Sequence, residues 1–139
     1  MLTLTRRLAF HARHRMHKAG WSDAEAQQRY GWTADPPGHG HLYRVAVSVT
    51  GPVDVDTGAV MDLGALDELL LREVITPFSG SDLNSALPAV AAGQVLPTCE
   101  AMAASIWQRV ALHLPTGVRL VRVVVAEDDS LEAECTGPA

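Results

Sequence analysis

Paired cysteines, aromatic clusters, an excess of basic residues and long apolar runs are all missing from this chain, and each absence excludes something. The two cysteines, Cys99 and Cys135, have no paired spacing, so there is neither a CxxC metal motif nor a disulfide framework. Aromatic residues make up 5% of the sequence, too few for base-stacking platforms. The 11 Lys and Arg residues are outnumbered by 16 Asp and Glu, for a net charge of −5, which argues against a nucleic-acid partner. No apolar run approaches the roughly 20 residues a membrane-spanning helix needs. The stretch Met1–Arg7 turns charged without the apolar block of a signal peptide. Reduced thiols in a cytoplasmic protein are the expectation.

What is present suffices for one core. The chain has 139 residues, 47% of them hydrophobic and 19% charged, the profile of a single globular domain rather than a disordered segment. Its most informative stretch is Gly38-His39-Gly40-His41-Leu42-Tyr43. Residues two apart on a strand share a face, so His39 and His41 project side by side. Two such imidazoles can hold one metal ion, and a third ligand must come from elsewhere.

Residues 2–14 read as a first strand in which Leu2, Leu4, Leu8, Phe10 and Ala12 share one parity that His14 continues. His14 is therefore carried inward and is the third candidate ligand, while His11 falls on the other face. Three protein ligands leave zinc one open position, the pattern of a catalytic site. Residues 15–38 are a long excursion, with a capping box at Ser22-Asp23-Ala24-Glu25 predicting a helix to Tyr30. Trp21 and Trp32 flank that helix and are expected to pin the excursion to the body; walling a ligand pocket is the other role open to them. Residues 39–51 are the second strand, antiparallel to the first. Ala59–Met61 reads as a short extended piece, and Asp62 as a helix cap. Leu63, Leu66, Leu70 and Val74 follow at helical spacing, and Pro77 is expected to end that helix. Residues 78–97 read as a connection. Thr98 caps a second helix lined by Met102, Ile106, Val110 and Leu114. Val121, Val123 and Val125 mark a third strand with Glu127 at its end, and residues 131–135 a weak fourth. The order is β-β-α-α-β-β, an α+β domain over 1–139 with an antiparallel sheet and two helices on one face. Exposed sheet edges point to an oligomer. His17 and His113 have no partner in the sequence and are expected on the surface.

Phe10-x-Ala12-x-His14, Gly38-His39-Gly40-His41-x-Tyr43, Thr57-Gly58-x-Val60-Met61-Asp62-Leu63, Leu83-Asn84, Pro97-Thr98-x-Glu100 and Val125-x-Glu127 together resemble the 6-pyruvoyl-tetrahydropterin synthase and 6-carboxy-tetrahydropterin synthase family. The resemblance spans nearly the whole chain. It implies the tunnelling fold, or T-fold, with sheets joined into a barrel by oligomerisation as a tetramer or hexamer, and sites between subunits. It implies zinc on His14, His39 and His41, and a pterin-like small molecule held at its guanidine-like edge by Glu127, with Thr98 and Glu100 as further ligand contacts. A carboxylate suits that edge because it accepts two parallel N–H bonds.

The resemblance also has gaps. The family carries a cysteine base before Gly-His-Gly-His, where this chain has Thr33, and an Asp-His pair before Leu-Asn, where it has Ser79-Gly80. A threonine hydroxyl cannot act as a thiolate base near neutral pH. The Asn that often follows the family's helix-two glutamate is Ala101. Replacement groups are Cys99, in the first helical turn where a thiolate is favoured, Asp35 and Asp82. Their ordinary readings are a buried small hydrophobe, a turn residue and a solvated loop carboxylate. The sequence thus points to a zinc-dependent enzyme with altered proton-transfer residues, performing lyase, cyclisation or isomerisation chemistry on a pterin-like or other oxygenated small molecule. The alternatives are an ordinary synthase with a replacement base, and a pterin-binding protein without turnover.

Overall fold

A computed structural model describes residues 1–138. Four strands form one antiparallel sheet in the order β1-β2-β3-β4: Thr3–His14, His39–Thr50, Arg119–Ala126 and Glu132–Cys135. The β1–β2 register sets Phe10 opposite Tyr43, Ala12 opposite His41 and His14 opposite His39. The parity read from the sequence therefore holds along the whole pair. Phe10, Ala12, Tyr43, Val45, Val47 and Val49 are buried against the helices. Leu2, by contrast, lies before the strand and is exposed.

The third strand departs from simple alternation. Ser48 pairs with Arg122, but Val49 pairs with Leu120, so Val121 is an extra residue at a bulge. A bulge reverses side-chain parity on one side of it. Leu120 consequently enters the core beside Val123 and Val125, while Val121 is only half-buried.

Helix α2, Leu63–Leu70, begins where Asp62 accepts from the Ala65 N–H at 2.8 Å. Leu66, Leu69 and Leu70 face the core, whereas Leu63 is exposed. The helix does not stop before Pro77. It runs through a π-helical turn, Leu71–Ile75, into α3, Thr76–Phe78, which contains that proline. Proline has no N–H for the carbonyl four residues back. That carbonyl, on Glu73, instead accepts from Arg109 Nε at 2.9 Å. The expected connection at 78–97 contains two single-turn helices, α4 (Leu83–Ala86) and α5 (Pro88–Ala91). Ala59–Met61 forms bends rather than an extended strand. Helix α6, Cys99–Ala111, packs Met102, Ile106 and Val110 into the core, and Thr98 Oγ1 caps it by accepting from Ala101 N.

In the excursion, α1 spans Asp23–Tyr30, with Ser22 Oγ accepting from Glu25 N, and a 3₁₀ turn follows at Gly31–Ala34. Arg15 fastens this excursion to the body. Its side chain donates to Ala34 O at 2.9 Å and to Asp23 at 2.7 Å. The Asn84 side chain accepts from Arg15 N and donates to Arg15 O and His17 O. No helix among the described residues is long and apolar enough to cross a membrane.

Candidate metal centre

Strand pairing alone gathers the three histidines. His14 ends β1 and His39 begins β2 directly opposite it, with His41 one pleat further along the same face. The approach is close: a Cβ on Gly38 would lie 2.7 Å from His14 O, and Gly38 has φ +95°, so glycine is required just before the histidine pair. The imidazole rings stand 4.7 to 5.2 Å apart, centre to centre, at steep mutual angles. One nitrogen from each lies within 4.8 Å of the others.

The protonation chemistry suits a cation. His14 Nδ1 is 2.7 Å from Pro97 O, a contact in which the ring must donate. That fixes the tautomer and leaves Nε2 with its lone pair, the usual role of an outer hydrogen bond to a metal-binding histidine. His14 Nε2 is 3.1 Å from His39 Nε2. Tetrahedral zinc with N ligands at ~2.0–2.1 Å holds them about 3.3 Å apart, so this spacing needs little adjustment. His41 Nε2 is buried and has no hydrogen-bond partner among the described residues. Burial, followed by the neighbouring His39 and His41, lowers the His14 pKa to about 4, against the raising effects of Pro97 and Asp82. Burial and His41 lower that of His39. Neutral imidazoles with converging lone pairs are the form that binds a metal. The residues present therefore fit zinc.

Glu127 follows β3 and brings Oε2 to 3.2 Å from His41 Nε2 and 3.6 Å from His14 Nε2. The nearer contact is not aligned as a hydrogen bond, and His41 Nε2 remains unsatisfied. Burial raises the Glu127 pKa, with His41 opposing and Asp128 and Glu100 adding to it. Beneath the site, the Tyr43 hydroxyl is buried without a partner, and its pKa is raised by burial, then by Glu127 and Cys99.

The other sequence candidates are distributed differently. Thr98 is occupied as a helix cap. Glu100 is exposed on the first turn of α6, beside a concavity of about 560 Å³ shared with Trp107, Glu134 and Cys135. Cys99 is buried, and burial followed by the Glu127 and Glu100 charges pushes its thiol up to about 12, the opposite of an activated thiolate. Asp82 is not a free loop carboxylate: it caps α4 by accepting from Asn84 N. Asp35 is exposed, 3.5 Å from Gln27 Nε2. Thr33 Oγ1 donates to Tyr30 O at 2.7 Å. Ser79 N bonds Ile75 O, and Gly80 N bonds His11 O at 2.7 Å. His11 and His113 are exposed, with His113 3.4 Å from Glu73, while His17 is half-buried, 3.4 Å from Asp23.

The tryptophans separate. Trp21 stacks on Tyr30 beneath the Arg29 guanidinium, contacts that lie within the excursion itself. Trp32 is 69% exposed, with its ring 5.0 Å from that of His39. Sequence reasoning missed the Pro97 carbonyl, because any residue type can offer one. A concavity of about 690 Å³ lined by Arg7, Arg44, Asp128 and Asp129 lies away from the histidines.

Fold and site together define a T-fold protein with a histidine cluster where its first two strands meet. The family model described as 6-pyruvoyl tetrahydropterin synthase matches residues 3–138. The chain belongs to the 6-pyruvoyl tetrahydropterin synthase family. It is 36% identical over 127 residues to 6-pyruvoyl tetrahydrobiopterin synthase of Homo sapiens, covering 91% of this chain and 86% of that one. It is 32% identical over 135 residues to the enzyme of the same name from Drosophila melanogaster, covering 97% and 79%. The solved structure of Caenorhabditis elegans 6-pyruvoyl tetrahydropterin synthase superposes with a TM-score of 0.86 at 26% identity, covering 99% of this chain and 96% of that one.

Proposed function

We propose that the chain is a zinc-dependent enzyme of the pterin synthase type, working with altered proton-transfer residues on a pterin-like or other oxygenated small molecule. His14, His39 and His41 hold the metal, with His14 oriented by Pro97. Bound zinc supplies Lewis acidity toward an oxygen of the ligand. Glu127 anchors an amino-heterocycle edge by accepting two parallel N–H bonds. The observation that carries the reading is His41 Nε2: a buried ring nitrogen without a partner, among nitrogens close enough to share one cation.

The reaction class is lyase, cyclisation or isomerisation. Thr33 and the Ser79-Gly80 pair stand where the resemblance sets the proton-transfer groups, and none of them titrates usefully near neutral pH. A binding protein without turnover is the second reading, favoured by the engagement of the Thr33 hydroxyl with Tyr30. An ordinary synthase with a replacement base is the third. The raised Cys99 thiol weighs against that residue as the base, leaving Asp35 and Asp82. A homo-oligomer, tetramer or hexamer, is supported by the sheet edges at β4 and at β1 before His11, where residues 80–82 begin to cover that strand. Two free cysteines are consistent with a cytoplasmic setting.

Metal analysis of the purified protein tests the foundation. The expected result is about one zinc per chain, lost in His39→Ala. No zinc in the wild type sinks the proposal. Turnover of dihydroneopterin triphosphate then separates the enzymatic readings from the binding one.

A further inference from the structure

Trp32 is the most exposed aromatic ring among the described residues, and it leans on a proposed metal ligand rather than on the body of the protein. Its mounting is rigid. The next residue, Thr33, accepts from Met16 N through its carbonyl at 2.8 Å and bonds Tyr30 O through its hydroxyl. Ala34 is buried, and its carbonyl accepts from Arg15. Backbone and neighbours on the C-terminal side are thus fixed to the chain just after His14, while the indole stays uncovered.

Trp21 shows what a merely structural tryptophan does in the same excursion: it is covered by Tyr30 and Arg29. An indole on an anchored backbone, uncovered at the mouth of a polar site, offers apolar area to a flat partner. Trp32 meets the histidine cluster at His39; the Glu127 carboxylate, suited to the polar edge of such a partner, meets it at His41 and His14.

We propose that Trp32 is the outer wall of the ligand site, stacking on one face of a planar amino-heterocycle whose edge is held by Glu127. The inference rests on the functional reading above and adds a specificity-determining contact to it. The indole selects for a ring, as distinct from an open-chain oxygenated substrate.

The test uses the full-length, zinc-loaded protein and neopterin as probe, with binding measured by calorimetry. Trp32→Ala is expected to bind about tenfold more weakly, and Trp32→Phe to stay within about threefold of wild type. Zinc content and circular dichroism should be unchanged in both. In a Trp21→Phe, Trp107→Phe background, where Trp32 is the only indole, acrylamide quenching should fall when neopterin binds. Equal affinity of wild type and Trp32→Ala, with unchanged quenching, overturns the wall and leaves the functional reading standing. Protection of Trp32 from acrylamide before any ligand is added, lost on dilution, also overturns it and assigns the indole to a subunit contact. Failure of the zinc-loaded wild type to bind neopterin overturns the wall and the pterin-like arm of the functional reading together, whereas the zinc content tests the metal arm by itself.

Discussion

Two neighbouring regions of this molecule differ in what their side chains do. At the junction of β1 and β2, backbone and side chains both serve the site: the strand register aligns three histidines, Pro97 orients one of them and Glu127 closes the group. Around Thr33, Ser79 and Gly80 the backbone is just as well fastened, through Met16, Ile75 and His11. The side chains there make a local turn contact, or none. A loop can be held in place by its amides alone, so chemical function can leave a position while the fold remains. A metal site is less forgiving, because its ligands are side chains and its geometry is their sum.

The contrast can be broken or sharpened by experiment. The largest effect is expected at Glu127. Glu127→Gln should weaken neopterin binding by about 30-fold or more (~2 kcal/mol), since an amide cannot accept a charge-assisted fork. Zinc content should stay at wild-type level. Loss of zinc with this substitution would move Glu127 from ligand anchor to metal ligand.

Next comes pH. His14 has its pKa lowered from 6.5 to about 4 by burial and its histidine neighbours. Between those values the unfolded chain binds the proton that the folded chain refuses. The stability of metal-free protein is therefore present above about pH 6.5 and lost as the pH falls toward 4. Urea midpoints should drop by the equivalent of about 1–2 kcal/mol between pH 7 and pH 5. His14→Asn keeps a donor for Pro97 but nothing that titrates, and should reduce that slope to the part that His39 contributes.

A substitution in the second region tests whether it is shaped for the proton-transfer groups that the resemblance implies there. Gly80 has φ +71°, with open space where a Cβ would stand. Gly80→His therefore meets backbone strain and no clash, and should cost about 1–2 kcal/mol in urea denaturation without loss of zinc. A neutral result would show that this backbone relaxes readily. The smallest effect is expected from Thr98→Ala, about 1 kcal/mol from the lost cap. Any accompanying drop in zinc affinity would reveal coupling between that helix start and the metal.

The features legible in the sequence share a cause. Strand parity from Leu4 to His14 and from His39 to Val49 was readable because one face is buried and the period is 2. The histidine triad followed from that parity and from the family landmarks. The bulge at Val121 was hidden because an extra residue leaves composition untouched. The helix past Pro77 depends on Arg109, distant in sequence, reaching the Glu73 carbonyl. The short α4 and α5 turns have too few residues to show a period. Trp32 could not be aimed from sequence, since a 3₁₀ turn of four residues sets its direction.

Pro97 couples a helix to the histidine cluster. Its carbonyl orients His14, and the next residue's hydroxyl starts α6. The position of that helix along its own axis therefore acts as a gauge for the imidazole: a shift of roughly 1 Å carries the Pro97 oxygen out of hydrogen-bond reach of Nδ1. Met102 and Ile106, buried under α6, determine where it seats. Changes at those core positions reach the His14 imidazole through one oxygen atom, without touching any of the three histidines.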